Sequence, residues 1–202
     1  LFKLGCFKLC ILIFLLFSTM TFAQKDLSSA EKFQTELNKS YADSLKSPLT
    51  KEDLKAFKGL DFFSINEKYI VEATFTRTKK EKPFGMKTTT SRTPLYKKYG
   101  ELHFKIDDKE FKLNVYQNVD LNKKTGYEDY LFLPFSDLTC GKESYIGGRY
   151  VDMKIQKGKT WTIDFNKAYN PYCAYNYEYS CPIVPLENDL NIEILAGVKK
   201  FH

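Results

Sequence analysis

Leu27, Phe33, Leu37, Tyr41 and Leu45 recur at helical spacing with charged residues between them. This predicts a helix over residues 26–46. Ser28 stands as its N-cap with Glu31 in the first turn, and Pro48 closes it. Thr50-Lys51-Glu52-Asp53 repeats the start signal and opens a short helix with Leu54 and Phe57 on one face, which Gly59 stops. Beyond Leu60 the period falls to two. Tyr69, Val71, Ala73 and Phe75 alternate with polar residues, as a half-buried strand requires. Leu102, Phe104 and Ile106, then Phe111, Leu113 and Val115, flank Asp107-Asp108-Lys109-Glu110 and read as a hairpin. Tyr130 to Phe135 is a short, nearly continuous apolar strand. Alternation returns from Tyr150 to Ile155, turns at Gly158, resumes from Thr160 to Phe165, and ends in a last strand from Leu190 to Leu195. Strands at this spacing without helices between them predict a mainly β fold. The expectation is a single antiparallel β-sandwich or barrel-like body, residues 60–202, behind a short N-terminal helical arm, residues 24–59.

The first 23 residues read differently. Lys3 and Lys8 precede the uninterrupted apolar run from Leu9 to Phe17, and Thr21-Phe22-Ala23 places small residues before Gln24. That is the pattern of a secretory signal peptide cut after Ala23, with a run too short to span a bilayer. An exported protein, in the periplasm or secreted, with no stable membrane span after cleavage is the expectation. Over the whole chain, 31 Lys and Arg against 25 Asp and Glu leave a net charge of +6, which falls to +4 once Lys3 and Lys8 are removed. The lysines are dispersed, with no basic stripe interleaved with aromatics, so nucleic acid is not an expected partner. At 43% hydrophobic and 16% aromatic over 202 residues, the chain is neither disordered nor a disulfide-dense mini-protein.

Two stretches are not ordinary strand. A Gly-rich loop, residues 136–149, holds Gly141, Gly147 and Gly148 just before Arg149. It reads either as a hairpin loop with a surface Arg, or as a turn that aims Arg149 inward at a carboxylate or an anionic ligand. A flap, residues 165–189, holds five tyrosines between Tyr169 and Tyr179 and is kept irregular by Pro171, Pro182 and Pro185. Structureless loops of this length tend to be functional, and a Tyr and Asn cluster suits polar, ring-bearing ligands such as sugars. It reads equally as a lid over an open end of the β body. Of the five cysteines, Cys6 and Cys10 leave with the leader. Among Cys140, Cys173 and Cys181, the last two are the natural disulfide pair, closing a short loop for roughly 2–3 kcal/mol.

LPFSDLTCGKESYIGGRYVD and DFNKAYNPYCAYNYEYSCPIVPLENDLNIEILAG, with LKAFKGLDFFSINEKYIVEATF and YGELHF upstream, resemble an uncharacterised prokaryotic family known as domain of unknown function 1684. The resemblance spans roughly residues 45–201. Its pattern falls here on Pro134, Phe135, Asp137, Gly148, Arg149 and Tyr150, then on Asp164, Asn166, Asn170, Pro171, Cys173, Cys181, Pro182, Pro185 and Asn188. The family pattern usually has an acid where this chain has Val198. The resemblance brings no activity. It also implies that members without leaders keep both cysteines, which weakens the disulfide reading, since cytosolic thiols are normally reduced.

The usual chemistries find little footing. His103 and His202 are the only histidines, no CxxC motif is present, and no metal or other cofactor is expected. No phosphate loop or serine elbow appears. Asp137 or Asp164 facing Arg149 would make a buried pair, structural or acid–base in role. The expected site therefore lies between the Gly-rich loop and the flap. Its candidates are Asp137, Tyr145, Arg149 and Tyr150 on the loop side. On the flap side they are Asp164, Asn166, Tyr169, Asn170, Tyr172, Cys173, Tyr175 and Asn188. The reading is a binding or interaction module for a small polar ligand. The alternatives are a hydrolase-like enzyme using Cys173 or the Asp137/Asp164/Arg149 cluster, and a periplasmic structural protein.

Overall fold

The computed structural model describes residues 25–202; the expected leader, with Cys6 and Cys10, lies outside the described residues. Helix α1 (Ser28–Ala42) and helix α2 (Lys51–Ala56) precede β1 (Ile70–Arg77), β2 (Phe84–Gly85), β3 (Leu95–Ile106), β4 (Lys109–Asn118), β5 (Tyr130–Asp137), β6 (Arg149–Lys154), β7 (Thr160–Asp164) and β8 (Asp189–Leu190). The strands form one sheet of order β6-β5-β4-β3-β1-β7, antiparallel along that path and curled as a half-barrel. β2 adds to β3, and β8 lies parallel to the end of β5. Consecutive strands β6 and β7 do not pair with each other; each is paired on its inner side, to β5 and β1. The Gly158 turn therefore joins the two ends of the sheet path.

The β3–β4 hairpin runs in register down to Ile106 opposite Lys109. Asp107 and Asp108 form its two-residue turn, both at positive φ (48° and 60°). That is the type I′ geometry whose twist matches the strands. Gly100 sits at the irregularity in β3, where a Cβ would stand 2.3 Å from the Phe75 ring. The bare backbone lets Phe75 lie flat between it and Trp161, whose ring centroid is 3.8 Å away. Around this stack the concave face packs Leu102, Leu113, Leu131, Leu133, Phe135 and Ile163.

Three expectations change. α1 stops at Ala42, because Asp43 turns the chain by accepting the Leu45 amide, and Leu45 is left 93% exposed. Leu27 rather than Ser28 is its N-cap. The last strand is only Asp189–Leu190: the Ile192 amide donates back to the Leu190 carbonyl at 2.8 Å, and the carbonyls of Ile194 and Ala196 serve a buried guanidinium instead of a ladder. The Thr50 cap holds, its side chain accepting the Asp53 amide at 3.1 Å. The helical arm packs Tyr41 and Leu49 against Leu60, Tyr175 and Val198. Among the described residues no helix is long and apolar enough to cross a membrane.

Candidate functional site

Gly148, at φ 82°, lies where a Cβ would stand 2.6 Å from the Phe135 carbonyl oxygen. The tight turn swings Arg149 inward, and its side chain is fully buried. The guanidinium donates to Asp137 Oδ2 at 2.7 Å, to the Ile194 carbonyl at 2.8 Å and to the Ala196 carbonyl. Asp137 Oδ1 accepts from the Thr139 amide (2.8 Å) and hydroxyl (2.6 Å). Each charge thus has an opposite charge and further hydrogen bonds, the condition under which a buried ion pair is tolerated. Asp164 is not part of this cluster. It caps the turn Phe165–Lys167 and lies 3.6 Å from Lys167.

Three asparagines of the expected site are equally sealed. Asn166 exchanges two 3.0 Å hydrogen bonds with the backbone of Asn66. Asn188 accepts the Asn114 amide and donates to the carbonyls of Asn114 and Pro134. Asn170 donates to the Lys199 carbonyl at 2.9 Å. These side-chain amides imitate strand partners where no strand runs, which is how irregular backbone can be buried. Tyr175 is also interior, edge-on to Tyr41 at 5.0 Å.

The flap and the Gly-rich loop meet at Tyr145, whose hydroxyl lies 3.8 Å from Cys173 Sγ. Cys173 and Cys181 are both free thiols, so the expected disulfide is not formed here. The Cys173 amide donates to Cys181 Sγ at 3.1 Å, which leaves the two side by side. The hydrogen bond from Cys181 draws the Cys173 thiol down to about 6, against partial burial and with Tyr145 adding to the effect, while the Cys181 thiol moves up. Cys140 stands apart, its sulfur accepting the Asp137 amide at 3.4 Å.

The opening bordered by the flap faces elsewhere. A pocket of about 390 Å³ lies between α1 (Phe33, Leu37), strands β5 and β6, and the flap. Tyr150, Tyr169 and Tyr172 of the expected site line it, and Cys181 stands in its wall. Asp152 was not anticipated, nor were Tyr130, Tyr96 and Phe132. Strand alternation puts Asp152 on the same face as Tyr150, and register puts Phe132 directly opposite it. Asp152 Oδ1 accepts from the hydroxyls of both Tyr130 (2.7 Å) and Tyr169 (2.6 Å). The surrounding bulk raises the Asp152 carboxyl above the ordinary aspartate range and the two phenols pull it back; because the carboxylate stays open to the pocket, the desolvation is partial. Burial moves both phenols upward, so they are protonated donors at neutral pH.

A wider opening of about 470 Å³ over the outer face of β1, β3 and β4 is lined by Glu72, His103, Lys105 and Glu110. Its charges neutralise one another at the surface, as in the 3.1 Å Lys105–Glu110 pair, and do not converge on a point. Among the described residues, no group of three or more His, Cys, Asp or Glu side chains is placed to hold a metal ion.

A family model described as "Protein of unknown function (DUF1684)" matches residues 55–199. The chain belongs to the DUF1684 family. A solution NMR structure of an uncharacterized protein from Haloarcula marismortui is 31% identical, with a TM-score of 0.67 over 85% of this chain and 92% of that one. No curated protein matches. Within the matched range, Asp137, Arg149, Asn166, Asn170 and Asn188 are buried pegs that fix loops to the sheet. Tyr150, Pro171, Cys181 and Pro182 line the pocket. Val198 is buried against the helical arm.

Proposed function

We propose that this DUF1684 protein is an exported binding module for a small polar organic molecule, with its site in the tyrosine pocket around Asp152. The observation that carries the reading is the paired donation from Tyr130 and Tyr169 to one oxygen of Asp152. Two phenols held by one carboxylate fix the wall of a concave, largely aromatic cavity, and a few placed polar groups in an apolar lining are the hallmark of small-molecule sites. The site thus moves from the junction of the Gly-rich loop and the flap to the opposite side of the flap. On export, thiol–disulfide exchange with a disulfide-carrying thiol oxidase would form the Cys173–Cys181 bond and break the oxidase disulfide, the two electrons and two protons passing to its dithiol, and would staple the flap that forms one wall.

Thermal denaturation of the protein against a panel of sugars, amines, carboxylates and phosphates tests this. A ligand at 100 times its Kd adds about 2.7 kcal/mol, or roughly 5–10 °C in Tm for a chain of this size. No shift from any compound would overturn the binding reading. A mass for the exported protein that retains residues 1–23 would overturn cleavage of the leader.

A second reading, an enzyme with Cys173 as nucleophile, draws on the depressed thiol beside the Tyr145 hydroxyl. It requires Cys173 to be acylated by an ester or thioester, with the alkoxide or thiolate leaving, faster than Cys140 is. Equal, slow reaction of both would remove it.

A further inference from the structure

Eight of the fifteen residues lining the pocket are aromatic, and Asp152 is the single formally charged side chain among the described residues that line it. Both tyrosine hydroxyls that reach Asp152 end on Oδ1; among the described residues Oδ2 has no hydrogen-bond partner. The Tyr150 hydroxyl is already committed to the Pro182 carbonyl. The Tyr172 and Tyr179 hydroxyls in the same lining make no hydrogen bond among the described residues and are open to any polar ligand, so what sets the pocket apart is its one formal charge. A carboxylate oxygen without a partner, set among aromatic rings, is complementary to the positive charge of an organic ammonium group. The carboxylate supplies the counter-charge and the rings supply their negative faces.

We propose that the pocket binds a small organic cation, a methylated or primary ammonium on a short carbon skeleton, with the cationic head beside Asp152 Oδ2 and the aliphatic part against Phe33, Leu37 and Phe132. This inference rests on the binding reading above and narrows it to one ligand class. A volume of about 390 Å³ accommodates a molecule of that kind. Arg92, which is exposed, reaches Ser180 in the pocket lining. It is turned to the flap backbone, donating to the Ser180 carbonyl at 2.9 Å and to the Ser180 hydroxyl at 3.2 Å. It therefore stands at the rim and leaves the carboxylate unpaired.

Calorimetric titration of the whole protein at pH 7 with three probes separates the charge from the shape. The probes are choline, its uncharged carbon isostere 3,3-dimethylbutan-1-ol, and glucose. The expected result is saturable binding of choline, with the isostere at least about ten-fold weaker and glucose weaker still. Asp152→Asn keeps an acceptor for the two phenols while removing the charge. It should lose about ten-fold in choline affinity, leave the isostere unchanged and unfold at the parental temperature. If the isostere or glucose binds as tightly as choline, or the variant binds choline normally, the cation assignment is wrong while a ligand pocket remains. If none of the three binds and the broader panel shifts only for sugars, carboxylates or phosphates, the cation assignment is again wrong and the binding reading survives; a shift from its amines alone supports the cation assignment with a primary ammonium head. If the panel is silent too, both fall.

Discussion

Replacing Asp137 by Ala isolates what the buried ion pair does. Arg149 is sealed, and Asp137 supplies its only carboxylate among the described residues, at 2.7 Å. The variant leaves a guanidinium in the interior with only neutral partners, the carbonyls of Ile194, Ala196 and Val198 and the Thr139 hydroxyl, and deprives the Thr139 amide of its acceptor. Removing one partner of a buried pair costs about 3–5 kcal/mol. At 2–4 °C per kcal/mol for a chain of this size, Tm should fall by roughly 6–20 °C. The single tryptophan, Trp161, is buried in the sheet against Phe75, so its fluorescence reports global unfolding in urea. A lower midpoint at unchanged slope is expected. Replacing both partners by apolar residues should not restore stability, although such swaps are often neutral elsewhere. Here the carbonyls of Ile194 and Ala196 would lose the donor that replaced a strand partner, at about 1–3 kcal/mol for each unsatisfied group. A loss under about 1 kcal/mol for Asp137→Ala, or full recovery in the double variant, would refute the assignment of this cluster as the tie between loop and C-terminal segment.

Asp108→Gly should stabilise the protein by about 0.5–1 kcal/mol in the same urea assay, because φ of 60° is strained for Asp and free for Gly; Asp107 is left in place for its 2.6 Å pair with Lys68. Gly100→Ala should destabilise by about 1–3 kcal/mol, since its Cβ would overlap the Phe75 ring and the Thr76 carbonyl at 2.6 Å. Protein taken from an oxidising compartment, denatured and alkylated without reductant, should gain one alkyl group at Cys140; three groups would contradict the stapled flap. Choline affinity should fall on acidification, because it needs ionised Asp152. As the folded carboxyl is raised above its ordinary value of 3.8, the loss should begin at a higher pH than for an exposed aspartate, and an affinity flat to pH 4 would argue against it.

Much of the fold was legible because its signals are local. The Asp107-Asp108 turn, the Thr50 cap and the period-two runs of β1, β6 and β7 each depend on neighbours in sequence. The misread elements depend on distant partners. Leu190, Ile192 and Ile194 do alternate into the core, but their backbone is bent toward Arg149, some forty residues earlier in the chain. Leu45 keeps the helical period of α1 and yet lies in solvent, because the Asp43 turn precedes it.

The candidate site divides in the same way. An Asn that binds a ligand and one that binds its own backbone look identical in sequence, so Asn166, Asn170 and Asn188 could not be told from binding residues. Gly147-Gly148 left Arg149 open between a surface position and an inward aim, and left Asp137 and Asp164 open as its partner; the fold decides both. Asp152 was visible only as the polar position in an alternating strand. Its significance comes from Tyr130 on the neighbouring strand and Tyr169 in the flap, and no spacing rule links them.

The central claim is that a small organic cation enters the pocket around Asp152. Amide chemical shifts of the isotopically labelled protein, titrated with choline, test it most directly. Saturable shifts concentrated at residues 130–132, 150–152, 169–172 and 179–182 are predicted. Shifts confined to the charged opening at Glu72, His103 and Glu110, or no saturable shift anywhere, would contradict the account.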